Sequence, residues 1–76
     1  MKLSDSQLTK LRKKYKLTER ESQIVNCLFL GIDDSNDIAK KLGIAVRTVK
    51  VHLINIYRKN GLNSKLQLVV KMFEDL

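Results

Sequence analysis

The sequence predicts an all-α fold, a four-helix bundle, with a short N-terminal helix as one of two interpretations of residues 1–16. Apolar residues recur at helical spacing along the chain, and its 76 residues include no proline to interrupt a helix. Each of the three glycines follows an apolar-periodic run, as helix C-caps do: Gly31, Gly43 and Gly61. At this length the chain forms one small domain and has no room for a deep substrate pocket.

The first two helices of the bundle are predicted from their N-terminal signals. The first begins at Thr18, where Glu21 completes a capping box, and it ends at Gly31. The second, a scaffold helix over about 34–42, begins near Asp34. Acidic residues in both first turns complement the helix dipole, so they need no catalytic explanation.

The third helix is expected over about 46–60, and its period separates two faces. The apolar stripe, which packs, consists of Val49, Leu53, Ile56 and Tyr57. The opposite face is free to contact another molecule and carries Arg47, Lys50, Val51, Ile54 and Arg58.

The fourth helix is expected over about 64–74, with Ser64 as its cap and Gln67 completing a capping box. Its apolar residues are too many for one narrow stripe: Leu66, Leu68, Val69, Val70, Met72 and Phe73. Such a wide apolar surface indicates a second contact beyond the core, for which a symmetric partner is the simplest candidate.

Three residues between the second and third helices have the spacing of a helix-turn-helix. Ala39 is small enough for a close helix crossing, Gly43 can adopt the positive φ that ends a helix, and Val49 points back into the crossing. The charge supports a polyanionic partner, because the net charge is +7 and no acid occurs between Asp37 and Glu74. The sequence therefore predicts a helix pair that binds nucleic acid.

The N-terminal segment allows two interpretations. It has apolar residues at helical spacing among five cations, Lys10, Arg12, Lys13, Lys14 and Lys16. A short amphipathic helix capped by Ser4 or Asp5 and packed on the domain is favoured over a basic arm that reaches DNA phosphates.

Several function classes are disfavoured by composition. The single cysteine, Cys27, allows no intrachain disulfide, lies in an apolar helix and is predicted to be a buried structural thiol. No metal-ligand cluster, phosphate loop or nucleophile with a base is present, so we expect no enzyme, no metal and no cofactor. The chain has no signal peptide and no membrane span, which predicts a cytoplasmic, nucleoid-associated protein without a membrane partner.

Three segments resemble the LuxR-type helix-turn-helix domain, also called GerE-like, of bacterial transcription regulators. They are LTERESQIVNCLFLGI, DIAKKLGI and RTVKVHLINIYRKNGL, and the resemblance covers about residues 17–73 within a domain spanning 17–76. It implies a four-helix bundle whose third helix enters the major groove and whose fourth helix mediates dimerisation. Because only sixteen residues precede Leu17, we expect a member of the stand-alone branch of that family.

The resemblance and the exposed face together assign base contacts to Lys50, Val51 and Ile54. A lysine can donate to guanine O6 or N7, and apolar side chains can contact thymine methyl groups. The alternative for Val51 and Ile54 is partial burial by a neighbouring helix. Phosphate contacts are assigned to Arg47, Thr48, His52, Asn55, Arg58, Lys59, Ser64 and Lys65. For His52, partial packing on the helix flank is equally well supported.

On the dimerisation helix, the dimer contacts are assigned to Leu68, Lys71 and Met72. The predicted partners are double-stranded DNA and a second copy of the chain.

Ala45 departs from the family pattern, because a polar cap is usual there and its loss removes about 1 kcal/mol of helix stability. Two alternatives remain: a promoter-reading module of the sigma-factor kind that binds RNA polymerase, and a protein-interaction domain that has lost DNA binding.

Overall fold

The computed structural model describes all residues from 1 to 76 and contains only helices, which confirms the predicted fold class. Five helices follow one another along the chain: α1 (Asp5–Lys14), α2 (Glu19–Phe29), α3 (Ser35–Leu42), α4 (Val46–Asn60) and α5 (Lys65–Glu74). The four helices of the predicted bundle are α2 to α5, and α1 is the additional N-terminal helix.

The N-terminal segment is a packed helix and not an extended arm. Ser4 caps α1 through a complete capping box: its Oγ accepts a hydrogen bond from the Gln7 amide at 3.1 Å, and the Gln7 side chain accepts one from the Ser4 amide at 2.9 Å. Leu11 and Tyr15 are buried on one side of the helix, while the cations remain exposed on the others. The apolar spacing at residues 8, 11 and 15 therefore determined the structure of this segment.

The predicted starts of α2 and α3 are confirmed by their caps. Thr18 Oγ1 accepts from the Glu21 amide at 3.1 Å, and Glu21 Oε1 accepts from the Thr18 amide at 2.9 Å. Asp34 Oδ1 accepts from the Asn36 amide at 2.7 Å. These bonds satisfy N–H groups that have no partner within the helix, and so they fix where each helix begins.

Helices α3 and α4 pack against each other, as the sequence predicted. Ala39 and Val49, the two residues expected at their crossing, are both buried. Gly43 ends α3 with φ 67°, a left-handed conformation that residues with a Cβ rarely adopt. The turn is therefore tight enough for α3 to hold α4 in a fixed orientation, with one face of α4 directed outward.

One apolar core joins the helices, and Cys27 is buried within it, as predicted. Leu68 and Met72 are also fully buried in this core. Their assignment to a dimer interface is therefore wrong, because neither side chain can reach a second copy while the monomer stays packed. Apolar character alone does not show which side of such a helix faces the core.

Side-chain hydrogen bonds define both ends of α5. Near its C-terminus, Asp75 accepts hydrogen bonds from Tyr15 Oη and, at 2.8 Å, from Lys14 Nζ. These two bonds hold the pKa of Asp75 below its usual range. At its N-terminus, Ser64 Oγ accepts from the Gln67 amide at 3.2 Å, whereas Gln67 Oε1 accepts from the Asn63 amide at 2.8 Å. The predicted capping box is thus corrected: Gln67 bonds one residue before the cap.

The start of α4 lacks a side-chain cap, as the alanine at position 45 predicts. Ala45 has an extended backbone, with φ −71° and ψ 147°, but supplies no hydrogen-bond acceptor to the first turn. We expect Ala45→Ser to stabilise the domain by about 1 kcal/mol, because serine adopts this conformation and caps a free N–H. Urea unfolding measures the gain, and Ala45→Val, which adds bulk without an acceptor, should show none.

Candidate nucleic-acid interface

The outward face of α4 carries the three residues predicted to contact bases. Lys50, Val51 and Ile54 are exposed, with 49% of Val51 and 50% of Ile54 accessible to solvent. About half of each apolar residue is thus accessible to another molecule. Val49, Leu53 and Ile56 occupy the buried side of the same helix, which holds the outward face in a defined orientation.

Polar and cationic residues surround this apolar pair on α4. Arg47, Thr48, Asn55 and Arg58 are exposed, and His52 is half-buried on the flank of the helix. No acidic residue occurs in α4. The face therefore combines hydrogen-bond donors and positive charge with two methyl-rich side chains, the chemistry needed to contact both phosphates and base edges.

The ammonium of Lys59 is engaged within the chain. It donates to Glu21 Oε1 at 2.5 Å and to the backbone carbonyl of Lys16 at 2.7 Å. The buried Glu21 carboxylate thus has this ammonium as its charged partner, although 33% of the Lys59 side chain remains exposed. One of the three ammonium donors is left for a phosphate, and that contact stays a prediction.

Glu21 remains ionised although it is buried. Burial raises the pKa of its carboxyl. Hydrogen bonds from Lys59 and the Thr18 amide, together with the charges of Lys59 and His52, lower the pKa by more than burial raises it. The net pKa lies below the usual range, so the ion pair is intact at neutral pH. The sequence alone identified Glu21 only as a cap, since its partner lies 38 positions away.

Ser64 and Lys65 lie at the start of α5. Ser64 Oγ already accepts the capping bond, and the Lys65 ammonium donates to the Asp33 carbonyl at 2.5 Å, across the loop before α3. Both residues are half-buried. Lys65 thus has one of its three donors engaged within the chain, and the phosphate contacts of both residues stay predictions.

A second exposed apolar surface lies on α5. Leu66, Val70 and Phe73 are spaced four and three positions apart, so they lie on one side of the helix. Leu66 is 73% exposed and Phe73 is 61% exposed. We call these three residues the outer face of α5. The predicted dimer contacts were their buried neighbours, although the i, i+4, i+7 spacing of these three residues was a signal available in the sequence.

Other regions of the molecule show little that resembles a site. A shallow groove of about 350 Å³ lies between α2 and α5, lined by Leu28, Gly31, Asp33, Lys65, Leu66 and Val69. No group of three or more histidine, cysteine or acidic side chains is placed to hold a metal ion. None of the five helices has the length and apolarity required to cross a membrane. The outward face of α4 is thus the best-defined candidate site.

Comparison with known families agrees with this geometry. The sequence profile described as "Bacterial regulatory proteins, luxR family", GerE, matches residues 15–72. The chain belongs to this family. The match begins in the last residues before α2 and ends within α5, so the helix-turn-helix of α3 and α4 lies at the centre of the luxR-family domain.

Several curated proteins are similar to this luxR-family domain. A putative HTH-type transcriptional regulator of Mycobacterium tuberculosis is 43% identical over 53 residues, which cover 70% of this chain and 6% of that protein. The CsgBAC operon transcriptional regulatory protein of Escherichia coli is 42% identical over 53 residues, covering 70% of this chain and 24% of that protein. The HTH-type transcriptional regulator MalT of Yersinia pestis is 35% identical over 68 residues, which cover 88% of this chain and 7% of that protein.

The similarity therefore concerns one domain of much longer proteins. This chain spans between 6% and 24% of the length of those relatives. No solved structure matches the chain significantly. The family membership rests on the sequence match, and the positions of individual side chains come from this structure.

Proposed function

We propose that this luxR-family domain regulates transcription by binding specific sequences of double-stranded DNA, with α4 in the major groove. The observation that carries the proposal is the outward face of α4, where Lys50, Val51 and Ile54 are exposed together and no acid is present on the helix. The names of the similar proteins, all transcriptional regulators, support the same function.

The proposed contacts follow from the chemistry of this face. Lys50 donates to guanine O6 or N7, and Val51 and Ile54 contact thymine methyl groups in the same groove. Arg47, Thr48, Asn55 and Arg58, which are exposed around them, bind phosphates and fix the register of the helix. His52 lies on the flank of α4 and is half-buried, so less of its side chain is accessible for a phosphate contact.

We further propose that the domain binds DNA as a homodimer formed through the outer face of α5. Two of its three side chains are more than half exposed, and a second copy would cover Leu66 and Phe73 symmetrically. The exposed Lys71 belongs at the edge of such an interface. A symmetric dimer would place two copies of α4 on half-sites separated by about one helical turn of DNA.

Selection of bound sequences from a random duplex pool tests the function. We expect an enriched, two-fold symmetric motif and an affinity that decreases steeply as salt increases, by about 0.9 in the logarithmic slope for each phosphate contacted. Failure to enrich any motif, with binding insensitive to salt, would overturn the proposal. Retention on RNA polymerase core without motif enrichment would instead support the sigma-factor alternative.

Replacement of Lys50 tests base recognition. We expect Lys50→Ala to reduce the preference for the selected motif over a scrambled duplex by about 5- to 150-fold, the value of one good base contact of about 1–3 kcal/mol. Competition titrations with both duplexes measure this ratio. Lys10→Ala removes the same charge from α1 and should leave the ratio unchanged; an unchanged ratio in Lys50→Ala would refute the base contact.

A further inference from the structure

The turn between α1 and α2 carries a lysine in a backbone conformation that favours glycine. Lys16 has φ 54° and is the only residue other than glycine with a positive φ. The amides of Lys16 and Leu17 donate to the carbonyls of Lys13 and Arg12, at 3.4 Å and 3.0 Å, as in helix ends closed by glycine. Because glycine adopts this conformation without steric penalty, the backbone does not explain the lysine side chain.

This turn is fixed beside the C-terminal end of α4. The Lys59 ammonium donates to the Lys16 carbonyl at 2.7 Å, and the Asn60 side-chain amide donates to the Tyr15 carbonyl at 3.1 Å. Both donors lie in the last turn of α4, directly after the exposed Arg58. The two bonds hold the backbone of the turn at a set position relative to the outward face of α4.

Two cations at and just beyond the C-terminal end of α1 have no acidic partner. The two ion pairs of the structure join Lys14 to Asp75 and Lys59 to Glu21, which leaves Arg12 and Lys16 without a carboxylate within salt-bridge distance. Within α1, Lys14 is directed toward the end of α5, and Arg12 lies about 160° around the helix from it. Arg12 therefore faces away from α5, and Lys16 follows in the turn that Lys59 and Asn60 hold.

We propose that Arg12 and Lys16 bind backbone phosphates of the same duplex that α4 contacts, forming a second anchor outside the helix-turn-helix. This inference rests on the proposed function. Leu11 and Tyr15, the apolar residues nearest to these cations along the chain, are buried, so this end of α1 offers positive charge without the exposed apolar anchors that a protein partner requires. A polyanionic backbone matches that chemistry, and its contacts fix register without reading sequence.

Lys16→Gly tests the anchor without damaging the fold. Glycine suits the positive φ and keeps the carbonyl that accepts from Lys59, so only the cationic side chain is lost. With a labelled random-sequence duplex of about 20 base pairs, we expect the slope of log affinity against log salt to fall by about 0.9. If the variant and the wild type bind equally at ~1 M salt, this change of slope makes the affinity of the variant roughly eightfold lower at ~0.1 M salt.

Two further variants make the outcome decisive. Arg12→Gln should lower the slope by a similar amount, whereas Lys10→Ala, exposed on the other side of α1 from Arg12, should retain the wild-type slope. If Lys16→Gly keeps the wild-type slope while the wild-type domain binds DNA, the anchor is refuted and the proposed function stands. If the wild-type domain itself shows no salt-dependent binding, the proposed function fails together with the anchor.

Discussion

Lys59→Met is expected to destabilise the domain by about 3–5 kcal/mol, a large part of the stability of a chain of this size. The substitution leaves the buried carboxylate of Glu21 without the ammonium that now lies 2.5 Å from it. Methionine fills a similar volume but offers no donor to Glu21 or to the Lys16 carbonyl. Urea unfolding at neutral pH measures the loss.

The neighbouring residue supplies a matched control for this prediction. Arg58→Met removes a cation from the exposed side of α4 and should change stability by less than about 0.5 kcal/mol. Glu21→Gln combined with Lys59→Met should recover much of the loss, because the amide keeps a capping acceptor without a buried charge. Equal stability of Lys59→Met and Arg58→Met would show that the ion pair does not matter to the fold.

The ion pair between Glu21 and Lys59 makes the stability of the domain depend on pH in the acidic range. Since the folded-state pKa of Glu21 is lowered, its contribution to stability is present above the ordinary pKa of about 4.3 and is lost as pH falls through the folded value. In Lys59→Met, the hydrogen bond and the charge of Lys59 are lost while burial still raises the pKa of this carboxyl, so the carboxyl becomes neutral at a higher pH on acidification. We therefore expect the stability difference between wild type and variant to narrow below about pH 4.3.

Truncation of a buried leucine on α5 has the second large expected effect on stability, and it distinguishes the buried side of this helix from its exposed side. Leu68→Ala is expected to cost about 2–5 kcal/mol in unfolding free energy, because the side chain is fully buried and its removal leaves a cavity. The loss should not depend on protein concentration, since it arises within one copy of the chain. Thermal unfolding at several concentrations measures both properties.

Leu66→Ala is the matched comparison on the same helix. Leu66 is 73% exposed, so its truncation should leave the stability of the monomer nearly unchanged. Sedimentation equilibrium should show weaker self-association for Leu66→Ala than for wild type. A Leu66→Ala variant that associates as strongly as wild type would refute the outer face of α5 as the dimer interface.

Much of the fold was predictable because its signals are local. The caps at Thr18, Asp34 and Ser64 and the glycine at position 43 each act within a few residues of the helix end they define. The bounds of α4 agree with the prediction for the same reason, since its period and Gly61 are both read along one segment. For the candidate site, this local information was enough to predict an outward face with Lys50, Val51 and Ile54.

What the sequence missed concerns residues whose surroundings depend on distant partners. The spacing on α4 does not show that the Lys59 ammonium donates to Glu21 and to the Lys16 carbonyl, which lie 38 and 43 positions away along the chain. Leu68 and Met72 have the same apolar character as the outer face of α5, and only the placement of that helix shows which side is buried. Sequence spacing gives the angle around a helix, but it does not give the direction of the core when most of the helix is apolar.

The sequence by itself determined the helices, their caps, the tight turn at Gly43 and the cationic, acid-free character of the second half of the chain. Those properties follow from backbone preferences and periodicity, which act over one or two turns. Only the tertiary structure decided that the Lys59 ammonium pairs with a buried carboxylate and that Lys16 is fixed beside α4. Burial and ion pairing depend on which segments the packed core brings together, and that arrangement exists only in the folded chain.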